Sequence, residues 1–115
     1  MNHDSKLPLD PFERIKKGKK IIEVRLLDEK RKSIEIGDTI SFFKLPNLEE
    51  SIKTKVIGLS RFNSFKDFFS FFRTKPFGHP ENMSIEEQVS GMRNAYSEEE
   101  EKKLGVLGIH IVLIS

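Results

Sequence analysis

At 115 residues with no cysteine, the chain suits one domain with a modest core and excludes disulfide scaffolds, thiolate nucleophiles and zinc–thiolate sites. Its longest hydrophobic run, Val106 to Ile114, falls well short of the ~20 residues of a spanning helix, and Met1 to Leu9 lacks the apolar core of a signal peptide. Net charge is only +2, yet residues 1–80 carry 17 Lys+Arg against 11 Asp+Glu while residues 81–115 carry 3 against 7, a balance that suits either a polyanion partner or an ordinary solvated surface.

These features predict a soluble cytoplasmic protein without membrane contact, a single domain over residues 1–115 with residues 1–8 as a flexible N-terminal segment. Asp10-Pro11-Phe12-Glu13 reads as a helix start, with Asp10 as cap and Phe12 and Ile15 turned inward. Gly18 ends that helix, and Arg14, Lys16 and Lys17 suit its negative C-terminal end. The chain passes directly into a strand in which Ile22, Val24 and Leu26 share one face while Glu23 and Arg25 share the other. Lys20 stands at its mouth.

Asp28 to Ser33 reads as a charged connection, and Gly37-Asp38 as a turn. Thr39 to Leu45 is the next strand, with Ile40 and Phe42 on one face. Ser51 to Phe62 is a longer one whose apolar parity switches after Val56, which predicts a bulge or bend near Gly58. From Ser64 the period turns helical, with Phe65, Phe68, Phe69 and Phe72 in one stripe and Phe71 off it. Such a stripe is far more often core than a base-stacking platform. Two prolines and a glycine make Pro76 to Pro80 a loop. Ser84 with Glu87, and Ser97 with Glu100, then form two capping boxes, so the acidic run reads as a solvated helix start. Val106 to Ile114 closes the chain as a strand, with Ile109, Ile111 and Leu113 on one face.

The helix ending in Gly18-x-Lys20, the following Ile22-Glu23-Val24-Arg25, the Ile36-Gly37-Asp38 strand start, the phenylalanine helix and the closing strand together resemble the ASCH domain family of the PUA-like group. The resemblance spans nearly the whole chain. It implies an α+β fold, a small PUA-like β-barrel with flanking short α-helices, and a cleft at the barrel mouth where the residues of the G-x-K-x-x-E-x-R pattern gather. It further implies RNA or a nucleoside-like small molecule as ligand. Some small bacterial members are amidohydrolases that deacetylate acetylcytidine with a lysine, a threonine and a glutamate. Lys20 and Glu81 match the lysine and the glutamate; Glu23 occupies the threonine position, where a carboxylate cannot supply a nucleophilic hydroxyl.

Two readings of the cleft stay open. As a binding site, it would use Lys16, Lys17, Lys20 and Arg25, with Lys19 nearby, on phosphates or on a base edge, and His79 would line it. As a hydrolytic site, Glu23 or Glu81 would activate water while Lys20 steadied the oxyanion. Against both stands the plain alternative that Glu23 simply pairs with Lys20 or Arg25. A third reading, a protein-interaction module using Phe71 and the acidic run, is less specific, and the sequence names no protein partner. His3, His79 and His110 show no metal spacing, and no metal or cofactor is expected.

Overall fold

The computed structural model describes residues 1–114. Five strands, β1 (Asn2–Leu7), β2 (Ile22–Leu26), β3 (Thr39–Lys44), β4 (Ser51–Phe62) and β5 (Val106–Ile114), form one sheet in the order β1-β3-β4-β5-β2. Only β1 and β3 run parallel; the other neighbours are antiparallel. Around the sheet lie α1 (Leu9–Lys16), α2 (Glu29–Lys32), α3 (Phe65–Phe72), α4 (Ile85–Met92) and α5 (Glu98–Leu104), with a 3-10 turn at Lys75–Phe77. None of these helices is long and apolar enough to cross a membrane.

The parity switch in β4 is a bulge. Val56 pairs with Ile111 and Gly58 with His110, so Ile57 is left without a partner and faces solvent. The extra residue bends the long strand and returns Leu59 to the core that Val56 occupies. That core lies inside the curl of the sheet, built from Phe42, Val56, Leu107, Ile109 and Ile111 and closed by Phe12 and Ile15 of α1. A second core covers the opposite face, where Ile22, Val24 and Leu26 of β2 meet Phe65, Phe68 and Phe69 of α3. Gly108 permits this approach: a Cβ there would stand 2.7 Å from the Phe68 ring and 2.5 Å from Ser60 Oγ. Each fully buried phenylalanine contributes roughly 1.5–3 kcal/mol of apolar transfer.

Both capping boxes form, and Ser64 accepts from the backbone N–H of Asp67. Three expectations are corrected. Residues 2–7 are not a free segment but β1, laddered to β3, where Asn2 Oδ1 accepts from Thr39 Oγ1 at 2.7 Å and from Ser41 Oγ at 3.2 Å. The first helix starts at Leu9 with Pro8, not Asp10, in the capping position. The charged connection after β2 is the single-turn helix α2, capped by Asp28 through the backbone N–H of Arg31. Beyond the solvated acidic start of α5, Glu101 is buried and accepts from the Phe65 N–H at 2.6 Å.

Candidate functional site

The backbone between α1 and β2 is fixed by hydrogen bonds back to α1 and across to the 3-10 turn. Past Gly18, which adopts φ +75°, the N–H groups of Lys19 and Lys20 both donate to Arg14 O, at 2.9 and 3.0 Å, and that of Ile21 donates to Pro76 O at 2.8 Å. Lys20 is therefore delivered at a set height above β2. Within β2, Glu23 stands opposite Ile109 and Arg25 opposite Leu107. Directly paired residues share a face, so both charges project to the side of the first core.

A carboxylate there requires partners. Glu23, only 3 % exposed, accepts from Lys20 Nζ at 2.9 Å and from Arg25 Nε at 3.0 Å, and its Oε1 also takes the Val24 N–H at 3.2 Å. Burial pushes its pKa up, but the charges of Lys20 and Arg25, and the hydrogen bonds both donate, outweigh burial and hold it at about 2. Arg25 carries a second load. Its terminal nitrogen donates to Ser5 Oγ and to Lys6 O, each at 3.2 Å. Since β1 and β2 are the two edges of the sheet, this guanidinium spans the gap where a closed barrel would have a backbone ladder.

Above the triad lies a cleft of about 330 Å³. Lys20, Glu23 and Arg25 line it together with Phe77, Met83, Met92 and Tyr96, while Arg14 and Lys6 contribute further cations. Arg14 also anchors the far wall, donating from Nε to Phe77 O at 3.0 Å. His79 lines the cleft beside buried Gln88, its Nδ1 lying 2.8 Å from Gln88 Oε1. In this pairing Nδ1 carries the proton and Nε2 is left as an acceptor. Burial pushes the His79 pKa down, the Gln88 bond opposes that, and Arg14 and Lys20 push it further down. The imidazole is neutral at pH 7.

The expected site residues divide. Lys20, Glu23, Arg25 and His79 converge on the cleft. Glu81 does not: it is exposed on the turn ahead of α4 and is absent from the cleft lining, so Lys20, Glu23 and Glu81 do not form a trio. Lys16 and Lys17 also stand outside it, exposed at the end of α1, with Lys16 paired to Glu50. His110 lies 2.9 Å from Ser60 Oγ, a satisfied residue of its strand. Among the described residues, no three His, Asp or Glu side chains are placed to hold a metal ion.

Gln88, Tyr96, Arg14 and Lys6 went unread as site residues. Gln88 had a signal, since it falls among Ile85, Val89 and Met92 on the apolar stripe of α4, where an amide needs a specific partner. Lys6 and Tyr96 had none, because the elements flanking the cleft bring them in from opposite ends of the chain.

The family model for the ASCH domain matches residues 8–115. The chain is similar to the crystal structure of hypothetical protein PH0355, 39% identical with a TM-score of 0.85, over 99% of this chain and 100% of that one. It is similar also to the solution NMR structure of protein PF0455 from Pyrococcus furiosus, 35% identical with a TM-score of 0.75, over 100% and 99% of the two chains. At 14% identity, the crystal structure of an ASCH domain from Lactobacillus crispatus shares the fold, with a TM-score of 0.65 over 96% of this chain and 79% of that one. No curated protein matches the chain. A mixed α+β half-barrel, matched from end to end by these structures and by the family model over all but its first seven residues, settles the assignment: the chain belongs to the ASCH domain family and carries its PUA-like fold.

Proposed function

We propose that the cleft binds a nucleoside or nucleotide unit, as part of RNA or as a free small molecule. The observation that carries this reading is the pair of cations at its floor. Glu23 stays ionised and holds Lys20 and Arg25 in place, so their remaining donors are presented without the entropy cost of ordering long side chains at the moment of binding. A ligand recognised there must offer acceptors, as phosphate oxygens and base carbonyls do. The walls favour a flat ring, since Phe77, Met83, Met92 and Tyr96 line them. A volume of about 330 Å³ falls at the small end of the range for small-molecule pockets, roughly 300–1,000 Å³.

Deacetylation of acetylcytidine or a related amide is the second reading, and it has less support. A general base must take a proton near neutral pH, whereas Glu23, the one carboxylate among the described residues lining the cleft, is held at about 2. Titration calorimetry with the four ribonucleosides and their monophosphates tests the first reading. At least one should bind, and Lys20→Ala should weaken it by about tenfold or more, the cost of one charge-assisted hydrogen bond. Absence of binding at millimolar ligand would defeat it. Incubation with acetylcytidine followed by chromatography separates the two: release of cytidine, abolished by Lys20→Ala, would put hydrolysis first.

A further inference from the structure

A second cavity opens on the other side of Arg25. It is a groove of about 620 Å³ lined by Lys6, Arg25, Lys30, Arg31, Phe43 and Leu48, with Asp4 the one carboxylate among the described residues that line it. Lys6 and Arg25 line the cleft as well, so the two spaces share a wall and that wall is cationic. The groove arises from topology: parallel pairing sets Lys6 of β1 directly beside Phe43 of β3, on the face opposite the first core, and α2 brings Lys30 and Arg31 across the edge. Arg31 is tied to Asp28 at 2.9 Å. Lys6 and Lys30 are exposed and, among the described residues, make no ion pair.

We propose that this groove is the continuation of the binding site for single-stranded RNA: one nucleotide enters the cleft, its phosphate passes over the Lys6–Arg25 wall, and the neighbouring base stacks on Phe43 while Lys30 meets the next phosphate. The inference rests on the nucleoside reading of the cleft. Its own support is the pairing of an aromatic ring with a row of cations, the combination by which proteins hold single strands with little regard to sequence. With Arg25 and Arg31 each paired to a carboxylate, Lys6 and Lys30 remain to complement a phosphodiester backbone. The lysines at the end of α1 take no part, since neither Lys16 nor Lys17 lines the cleft or the groove.

The test compares a ribonucleoside with a mixed-sequence RNA octamer, by calorimetry and by fluorescence anisotropy at two salt concentrations. The octamer should bind wild-type protein at least tenfold more tightly than any nucleoside. Lys30→Ala should weaken the octamer and reduce the salt slope by about 0.7, the value for one single-strand phosphate contact. Phe43→Leu should weaken it by at least about fivefold, consistent with the loss of one stacked base, and leave the slope unchanged. Neither residue lines the cleft, so nucleoside affinity should hold in both variants, which also serves as their folding control. Nucleoside binding with no gain for the octamer, or an octamer indifferent to both changes, overturns the track and spares the cleft. An octamer that binds through Lys30 and Phe43 while no nucleoside binds supports the track and defeats the cleft reading. Equal competition by an octaglutamate peptide overturns the assignment to RNA.

Discussion

Among the described residues, Glu23 and Glu50 each hold two Lys or Arg side chains, and the pair differ in almost everything else. Glu50 receives Lys16 at 2.5 Å and Lys44 at 2.7 Å; Glu23 receives Lys20 at 2.9 Å and Arg25 at 3.0 Å. Both carboxyl groups are held at about 2, Glu50 chiefly by its bond from Lys16, Glu23 by charges that overcome its burial. The Glu23 side chain is 4 % exposed and that of Glu50 37 %. Similar titration therefore hides different consequences. At Glu50 water can replace either lysine, so the network is interchangeable with solvent. At Glu23 nothing can replace a lost partner, and the charges that remain become a liability.

The largest contrast should come from deleting each carboxylate. Glu23→Ala leaves Lys20 and Arg25 facing one another without their anion and should cost about 3–5 kcal/mol, read from urea unfolding. Glu50→Ala should shift the urea midpoint far less. Equal shifts would break the distinction between the two sites.

Acid titration sharpens it. Because the folded pKa of Glu23 lies near 2 and its ordinary value is 4.5, its contribution is complete above about pH 5 and disappears as pH falls from 4.5 toward 2. The full span is about 3 kcal/mol. Other depressed carboxylates, Asp38 and Glu50 among them, titrate in the same direction in any variant. The informative measurement is thus wild-type stability minus that of Glu23→Gln across pH 2 to 6, and a flat difference would show that Glu23 is not held as described.

A smaller effect separates charge from shape at the same site. Arg25→Lys keeps a cation near Glu23 but cannot reproduce a planar fork that reaches Glu23, Ser5 and the Lys6 carbonyl together. Losing the two bonds to β1 should cost about 2 kcal/mol, at ~1 kcal/mol each. Hydrogen exchange in β1 should rise more than in β4, since β1 is held on one side only by β3. Uniform exchange across the sheet would count against Arg25 as the barrel's closing link.

What could be read beforehand follows from how local each cause is. The β4 bulge, both capping boxes and the phenylalanine stripe are written in neighbouring residues, and all of them form as read. Parity alone placed Glu23 beside Arg25. By contrast, Asn2 to Leu7 has no apolar alternation; it becomes a strand because β3 offers an edge and Thr39 and Ser41 offer hydroxyls. Glu81 precedes a helix whose start was legible, but the turn that carries it points it to solvent. The cleft shows the same limit, for Lys6 and Tyr96 meet only through the fold.

The smallest expected effect concerns the cations most conspicuous in the sequence. Lys16 and Lys20 are four residues apart, yet the Lys16 side chain is 49 % exposed and that of Lys20 is 10 %. Lys16 is already neutralised by Glu50, and Lys17 lines neither the cleft nor the groove. Changing both to alanine removes two charges from the net balance, so a long-range loss of attraction for RNA remains, and it should be confined to low ionic strength because the screening length is only about 8 Å at physiological salt. Affinity for an RNA octamer at physiological salt should therefore stay within about twofold of wild type, while Lys20→Ala, which leaves net charge higher by one than the double change, should lose tenfold or more. If the double variant lost more affinity than Lys20→Ala, binding would follow charge density along the chain, and the ordered pair beneath the cleft would be a structural ion pair alone.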